Sequence, residues 1–359
     1  MTVETPGAGG APGVVRADWW HRLDGRRFQC DLCPRECRLA PGQRGLCYLR
    51  FAGSDGLYLS GYGRSSGIAV DPVEKKPLFH FLPGSSALSF GTIGCNLVCT
   101  NCQNWRISRS RSEGLLTQSA RPDELAQRAV ELACHSIAFT YNEPIISAEY
   151  VIDCARTAHA SGVHTIVVTN GYINGEARSR LFAHIDAANV DLKSSDEGFY
   201  RNVCRAELQP VLETLRWLHR ESAVWLEVTT LLIPGSNDTD DGLLRLCDWI
   251  MENLGPGTPL HLTGFHPAYR MMDRPATSGE ALIHARRLAV GQGLHFVYVG
   301  NLPVASAQST SCSECGQTLI ERRGYAINLR SLSPEGTCKL CGTPLPGRFE
   351  GGPGWKWGR

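Results

Sequence analysis

Residues 94–105 read Gly-Cys-Asn-Leu-Val-Cys-Thr-Asn-Cys-Gln-Asn-Trp, and they are the most informative stretch of this chain. The three cysteines are spaced C-x3-C-x2-C and directly follow a short apolar run, SALSFGTI. Three thiolates can hold an iron–sulfur cubane, which normally takes four cysteines, and leave one iron open to another ligand. One face of a helix would give the same spacing, but it would not explain the Asn-rich sequence after a strand. The stretch therefore predicts a 4Fe–4S cluster on Cys95, Cys99 and Cys102.

Outward from this loop, short apolar runs alternate with helical stretches between residues 86 and 303. HTIVVTNG and HFVYVGN are typical of strands, whereas PDELAQRAVELAC and DDGLLRLCDWIMENL have the apolar spacing of helices. Such alternation predicts βαβ units and a parallel sheet, hence an α/β fold. About six or seven units favour a full or partial (β/α) barrel over an open sheet, and active sites of barrels lie at the carboxyl ends of the strands.

The composition restricts the setting in which the chain works. Lys and Arg total 36 and Asp and Glu 35, so the net charge of +1 gives no broad surface for nucleic acid or acidic membranes. The sequence shows no signal peptide and no apolar run of ~18 residues, so we expect a cytoplasmic protein without a membrane or nucleic-acid partner. Fifteen cysteines in such a protein favour metal binding over disulfides.

Eleven of these cysteines fall into three clusters, and the remaining four are interpreted as small buried hydrophobic residues: Cys134, Cys154, Cys204 and Cys247. The N-terminal cluster has the spacing C-x2-C-x3-C-x9-C. That spacing suits a zinc ion, an auxiliary iron–sulfur cluster, or reduced thiols packed near the barrel entrance. All three interpretations stay open for Cys30, Cys33, Cys37 and Cys47.

The C-terminal cluster consists of two CxxCG units separated by 22 residues. Four thiolates from two turns make a closed tetrahedral site, and the glycine after each pair permits the tight turn. The pattern predicts a zinc-ribbon-like or rubredoxin-like module with a structural or partner-docking role. Zinc is favoured over iron as the metal on Cys312, Cys315, Cys338 and Cys341.

Four regions follow from these patterns. We expect a disordered leader at 1–20, a Cys-rich N-terminal extension at 21–85, the barrel at 86–303 and the metal-binding tail at 304–359. We also expect that truncation before the tail would leave the barrel cluster intact.

The C-x3-C-x2-C loop after the first strand of a (β/α) barrel resembles the signature of radical S-adenosylmethionine (SAM) enzymes. The resemblance implies a partial (β/α)6 barrel in which SAM binds the open iron of the cluster. It also implies a reductant such as flavodoxin or ferredoxin. One electron then cleaves SAM to a 5′-deoxyadenosyl radical, which abstracts hydrogen from the substrate.

Within the radical SAM enzymes, the residues at the ends of successive strands resemble those of pyruvate formate-lyase activating enzyme in particular. Cys102-Gln103-Asn104 resembles its CHN, and His266 resembles its strand 6 histidine; Val168, however, stands where that enzyme has a SAM-contacting Asp. The chemistry of the matching residues agrees, because amide and carboxylate oxygens can accept from the amino group of SAM and a lysine can pair with its carboxylate. The SAM contacts implied are Asn104, Asn142, Glu143, Asn170, Asp191, Lys193 and His266.

The full layout resembles the radical SAM member of the AmmeMemoRadiSam system, on CxLCPxxC, DPVEKKPLFHF, YNEP, LLIPG and GFHP. That resemblance implies Memo-type and AMMECR-type partners and supplies no substrate. We therefore carry three hypotheses: an activating-enzyme-like radical SAM enzyme with a protein substrate, a radical SAM enzyme with a small-molecule substrate, and a non-catalytic zinc-binding interaction protein.

Overall fold

The computed structural model describes residues 13–301 and 307–349. Most of the leader expected at 1–20 lies outside these residues, although Val14–Arg16 already forms a strand.

The N-terminal extension is built from very short antiparallel strands. Two three-stranded sheets have the orders β1-β6-β5 and β2-β3-β4, and β7 pairs with the later strand β10. The strands are β1 (Val14–Arg16), β2 (Trp20–Arg22), β3 (Phe28–Cys30), β4 (Arg38–Leu39), β5 (Arg50–Ala52), β6 (Leu57–Ser60), β7 (Arg64–Ser65) and β10 (Gln118–Ser119). A buried ion pair ties the extension to the barrel, since Nη2 of Arg50 donates to Oε2 of Glu149 over 2.6 Å.

An eight-stranded, mostly parallel sheet forms the centre of the molecule and confirms the predicted α/β class. Its order is β8-β9-β11-β12-β13-β14-β15-β16, with β8 antiparallel at one edge and seven parallel strands beside it. Among the described residues the two edge strands do not pair, so the barrel is partial. The strands are β8 (Gly67–Pro72), β9 (Ser86–Gly91), β11 (Ser136–Phe139), β12 (His164–Thr169), β13 (Ala187–Asp191), β14 (Trp225–Leu232), β15 (Leu260–Gly264) and β16 (Val297–Gly300).

Helices cross over between the parallel strands and bury one apolar face each. In the helix Gln209–Glu221, for example, the buried side chains recur at three- and four-residue spacing, as packing on a sheet requires. The helices are α1 (Trp105–Ser108), α2 (Pro122–Glu131), α3 (Ala148–Ala160), α4 (Gly175–Phe182), α5 (Glu197–Phe199), α6 (Gln209–Glu221), α7 (Asp240–Leu254) and α8 (Gly279–Gly291). Among the parts of the chain that the structure covers, no helix is both long and apolar enough to cross a membrane.

The C-terminal tail packs against the barrel at the amino ends of the strands. Its sheet contains β17 (Thr310–Ser311), β18 (Thr318–Arg323) and β19 (Ala326–Leu329). The tail shares a hydrophobic cluster with Phe79, Phe296 and Tyr298. Arg322 is fully buried in this contact, and its Nη2 donates to the carbonyl oxygen of Phe79 over 2.6 Å. The tail is therefore part of the barrel's own core packing.

Candidate iron–sulfur and SAM site

One pocket at the carboxyl ends of the parallel strands brings together most of the predicted site residues. The cluster loop after β9 forms one wall, and the ends of β11 to β15 and the residue after β16 contribute the others. This is the edge at which barrels bind their substrates. The predicted residues that line the pocket are Cys95, Cys99, Cys102, Asn104, Asn142, Glu143, Asn170, Asp191 and Lys193.

Backbone hydrogen bonds fix the loop that carries the three cysteines. The amide of Val98 donates to the carbonyl of Cys204 over 3.0 Å, so the helical turn Tyr200–Cys204 holds the cluster loop in place. Gly94 has a φ of +85°, and a Cβ there would lie 2.0 Å from the carbonyl oxygen of Cys47. Only glycine fits this position, because backbone atoms at that distance cannot give way.

Two donors approach the sulfur of Cys95. The amide of Leu97 lies 3.3 Å from this Sγ, and Nδ2 of Asn170 lies 3.7 Å from it. The same Asn170 nitrogen donates to Oδ1 of Asn96 over 2.9 Å, which holds the amide in place. Hydrogen bonds to cysteine sulfurs tune the reduction potential of an iron–sulfur cluster. Asn170 thus contacts the predicted cluster ligand itself.

Cys204 lies beside Cys99. Its hydrogen bond, together with the charge of the Lys193 ammonium, lowers the pKa of the Cys99 thiol to about 7. The burial expected for Cys204 is confirmed, since its side chain is inaccessible, but it is also a neighbour of the predicted cluster. The other three scattered cysteines are buried as predicted: Cys134, Cys154 and Cys247.

The side-chain amide of Asn142 is occupied within the protein. Its Oδ1 accepts from the amide of Thr92 over 2.8 Å, and its Nδ2 donates to the hydroxyl of Thr92 and the carbonyl of Gly94. Although Asn142 lines the pocket, these bonds make it a support for the cluster loop. The sequence suggested only an acceptor for SAM, because the contact to Gly94 spans 48 residues of chain.

Glu143 is buried and connects two strand ends. Its carboxylate accepts from the hydroxyl of Thr169 over 2.6 Å and from the amides of Asn170 and Ile145 over 2.8 and 3.1 Å. Burial raises the pKa of Glu143 to about 7, although these donors oppose the shift. The residue lines the pocket and also begins the short helix Pro144–Ser147, so the structural and functional roles coexist.

Lys193 provides the positive charge of the pocket. Its Nζ donates to Oδ2 of Asp191 over 2.7 Å. Burial works against the charged form, but Asp191 and the thiols of Cys99 and Cys204 outweigh it and raise the pKa of Lys193 well above its ordinary value. A cationic side chain here can pair with a carboxylate or with the negative charge of a cluster.

Asn104 and His266 are the two remaining predicted contacts. Asn104 lines the pocket, and its Nδ2 donates to the carbonyl of Tyr141 over 2.7 Å. His266 follows β15 at the correct edge of the sheet, but it is exposed and is not among the residues that line the pocket.

Two buried polar atoms that belong to pocket residues have no protein partner among the described residues. Oδ1 of Asn101 and Oγ1 of Thr229 are buried, lack a hydrogen-bond partner, and belong to residues that line the pocket. Such atoms are costly unless a ligand or water satisfies them. Sequence reasoning missed both residues, and it also missed Asn96 and Cys204. The Asn-rich composition of the cluster loop was the only available signal.

The four C-terminal cysteines form a compact group. All four sulfurs lie within 4.8 Å of one another, with 3.6 Å between Cys312 and Cys341 and 3.7 Å between Cys315 and Cys338. A tetrahedral ion with bonds of about 2.3 Å to sulfur requires about 3.8 Å between sulfurs, so a single ion fits. The glycine after each pair has the positive φ that its turn requires, as predicted.

The N-terminal cysteines are also brought together. They line a separate enclosed space next to the cluster loop, and Asn96 contributes to its wall. The members of this group are Cys30, Cys33, Cys37 and Cys47.

A loop of three cysteines at the carboxyl edge of a partial barrel faces a pocket that contains a half-buried lysine and a buried carboxylate, and this arrangement is typical of a cluster-dependent class of enzymes. The Radical SAM superfamily profile matches residues 90–249. An uncharacterized protein, MJ0808, of Methanocaldococcus jannaschii is 39% identical over 330 residues, which are 92% of this chain and 98% of that protein. This chain belongs to the radical SAM superfamily, and membership implies a 4Fe–4S cluster and SAM.

More distant similarities were also found. Pyruvate formate-lyase 1-activating enzyme of Escherichia coli K12 is 27% identical over 127 residues, or 34% of this chain and 50% of that enzyme. Among solved structures, a radical SAM methyltransferase from Sphaerobacter thermophilus is 16% identical with a TM-score of 0.49, covering 85% of this chain and 81% of the other.

Proposed function

We propose that this radical SAM enzyme is of the activating-enzyme-like type and abstracts hydrogen from a protein substrate. The observation that carries the proposal is the single pocket shared by the three cysteines, the Lys193–Asp191 pair and Glu143. When bound, the cofactors supply a 5′-deoxyadenosyl radical by one-electron cleavage of SAM.

The residues of the pocket have distinct tasks in this proposal. Cys95, Cys99 and Cys102 hold the cluster, and Lys193 pairs with the carboxylate of SAM. Glu143 accepts a hydrogen bond from its amino group. Asn142 and Asn170 keep the loop and the Cys95 sulfur in position through the bonds described above. His266 is proposed as a ribose contact, because it follows β15 at the edge of the sheet where the pocket lies.

Exposed apolar side chains near the pocket support a macromolecular substrate. Trp105 follows the pocket residue Asn104 directly; its side chain is exposed and stacks on Tyr269 with 5.5 Å between ring centroids. Met272, on the same segment after β15, is 66% exposed. Exposed aromatic and methionine side chains beside a cleft are typical of protein contacts. The likeness to an activating enzyme points the same way.

The accompanying proposals concern partners and metals. A low-potential carrier such as flavodoxin or ferredoxin would supply the electron, and Memo-type and AMMECR-type proteins are proposed as partners or substrate. Zinc is proposed for the C-terminal four-cysteine site, because the sulfur spacing suits a single tetrahedral ion.

The test is anaerobic reconstitution with SAM and dithionite, following 5′-deoxyadenosine with and without each candidate partner. We expect SAM to be cleaved both with and without a partner. When the partner that serves as substrate is deuterated, we expect deuterium in the 5′-deoxyadenosine. Cys95→Ala, Cys99→Ala and Cys102→Ala should each abolish cleavage, while Cys134→Ala should retain it. Cleavage by a single cluster variant would contradict the proposed site, and deuterium from a small molecule alone would favour the small-molecule hypothesis.

A further inference from the structure

The N-terminal cysteines line a small enclosed space of about 20 Å³. Cys30, Cys33, Cys37 and Cys47 all line this space. The Cβ that Gly45 lacks would lie 3.7 Å from the sulfur of Cys37 and 3.8 Å from that of Cys47. Gly45 therefore lies next to two of the four thiols, and even a Cβ at this position would touch both.

The distances between the sulfurs distinguish a site for a single metal ion from a site for an iron–sulfur cluster. Among the described residues, the C-terminal cysteines are the only metal-binding group whose sulfurs all lie within 4.8 Å of one another. No three of the N-terminal sulfurs do so, and neither do the three sulfurs of the cluster loop. A cubane holds its cysteine sulfurs farther apart than one zinc ion does, because each thiolate binds a different iron. In every set of three N-terminal sulfurs, at least one pair is therefore more than 4.8 Å apart, as in the cluster loop.

The donors around the space suit an anionic ligand. Nη2 of Arg35 is buried without a hydrogen-bond partner, while its Nε donates to the carbonyl of Asn96 over 2.7 Å. The backbone amides of Leu32 and Arg35 point to the thiols of Cys30 and Cys33. The cluster loop repeats this arrangement of an amide two residues after a cysteine. Neutral packed thiols would leave this buried Arg35 nitrogen without an acceptor, whereas an anionic cluster would provide one.

We propose that Cys30, Cys33, Cys37 and Cys47 hold a second iron–sulfur cluster, distinct from the one that superfamily membership implies. The proposal does not depend on SAM cleavage. The two sites are adjacent, since the carbonyl of Cys47 packs against Gly94 and Asn96 lines the N-terminal space. Asn96 of the cluster loop therefore lies next to both groups of cysteines.

Acid-labile sulfide tests the proposal, because the C-terminal site can bind a metal without sulfide. The triple variant Cys95→Ala, Cys99→Ala, Cys102→Ala, reconstituted anaerobically, should retain roughly half the sulfide of the unmodified protein. Adding Cys33→Ala and Cys47→Ala should remove the rest, whereas adding Cys134→Ala and Cys247→Ala instead should not. A folded triple variant without sulfide, or with zinc in its N-terminal site, would overturn the proposal.

Electron paramagnetic resonance of the unmodified protein provides a measurement that needs no variant. Full reduction should give two cluster signals broadened by their mutual interaction, and SAM should shift only one of them. A single signal that SAM converts completely would show that one cluster is present, and the second site would then be excluded.

Discussion

Glu143 is a buried carboxylate whose pKa lies near neutral pH. Its pKa is raised to about 7 by burial, so the carboxyl is about half protonated at neutral pH in the free protein. The ionised carboxylate accepts a hydrogen bond from the amino group of SAM more strongly than the protonated form does. Binding therefore improves as pH rises through the pKa and is lost as pH falls below it.

The expected result is an affinity for SAM that increases about tenfold between pH 6 and pH 8 in the unmodified protein. Glu143→Gln should bind more weakly at pH 8 and lose this component of the pH dependence, while the titration of SAM itself remains in both proteins. Equilibrium binding across this pH range checks the difference. Identical slopes for the two proteins would place Glu143 outside the SAM contacts and leave it only its bonds to Thr169 and Asn170.

Lys193 lies on the wall of the pocket, and Asp191 and the neighbouring thiols raise its pKa and so favour its charged form. Lys193→Ala should weaken SAM binding by about 1.5–3 kcal/mol, the usual value of a hydrogen bond to a charged group. Lys339→Ala, at an exposed position in the tail, is the matched control. Iron content must be equal in the variants compared. A loss below ~0.5 kcal/mol would mean that Lys193 serves Asp191 alone.

The sequence predicts which residues line this pocket better than it predicts what each side chain contacts. Asn142 and Asn170 are predicted to contact SAM, and in the structure they line the pocket while their amides bind Gly94 and the sulfur of Cys95. Residue type and position after a strand predict which edge a side chain occupies. They do not predict which of several acceptors it reaches, because that depends on how the loop after β9 folds over the next strands.

The cluster loop depends on one glycine for its path. Gly94→Ala would place a Cβ 2.0 Å from a backbone oxygen at a φ of +85°. We expect loss of the iron–sulfur cluster and a free energy of unfolding lowered by more than ~2 kcal/mol. Gly291→Ala is the control, because a Cβ there meets nothing within 4 Å and its φ is not positive. Iron and sulfide analysis with chemical denaturation checks both; full cluster content in Gly94→Ala would contradict this account of the loop.

The longer elements follow their sequence patterns closely. DDGLLRLCDWIMENL is the helix α7, Asp240–Leu254, and HTIVVT is the strand β12. Strands of two to four residues in the N-terminal extension could not be predicted, because periodicity needs longer windows. The antiparallel edge strand Gly67–Pro72 was missed as well, since nothing local distinguishes it from a loop.

The arrangement of the tail changes what its removal should do. From the sequence we expected that truncation before the tail would leave the barrel cluster intact. In the structure the tail covers Phe79, Phe296 and Tyr298, and Arg322 is buried among them. Truncation after Asn301 would expose aromatic side chains whose burial stabilises by about 1.5–3 kcal/mol each. We expect a strongly lowered melting temperature or insoluble protein, and a truncated enzyme as stable as the full chain would contradict this packing.

Loss of the C-terminal metal is a more selective test, since the metal site and the SAM pocket lie at opposite ends of the parallel strands. Cys315 and Cys341 are exposed, so serine at both positions removes two ligands without opening a cavity. Structural zinc contributes on the order of 10 kcal/mol to the folding of small modules, part of which this tail replaces by packing on the barrel. We expect the double variant to lose one bound zinc and to melt at a lower temperature, while Ser313→Ala does neither. Its folded fraction should still cleave SAM, because no cysteine of the tail lines the pocket. Cleavage lost at full cluster occupancy would instead connect the tail to the active site.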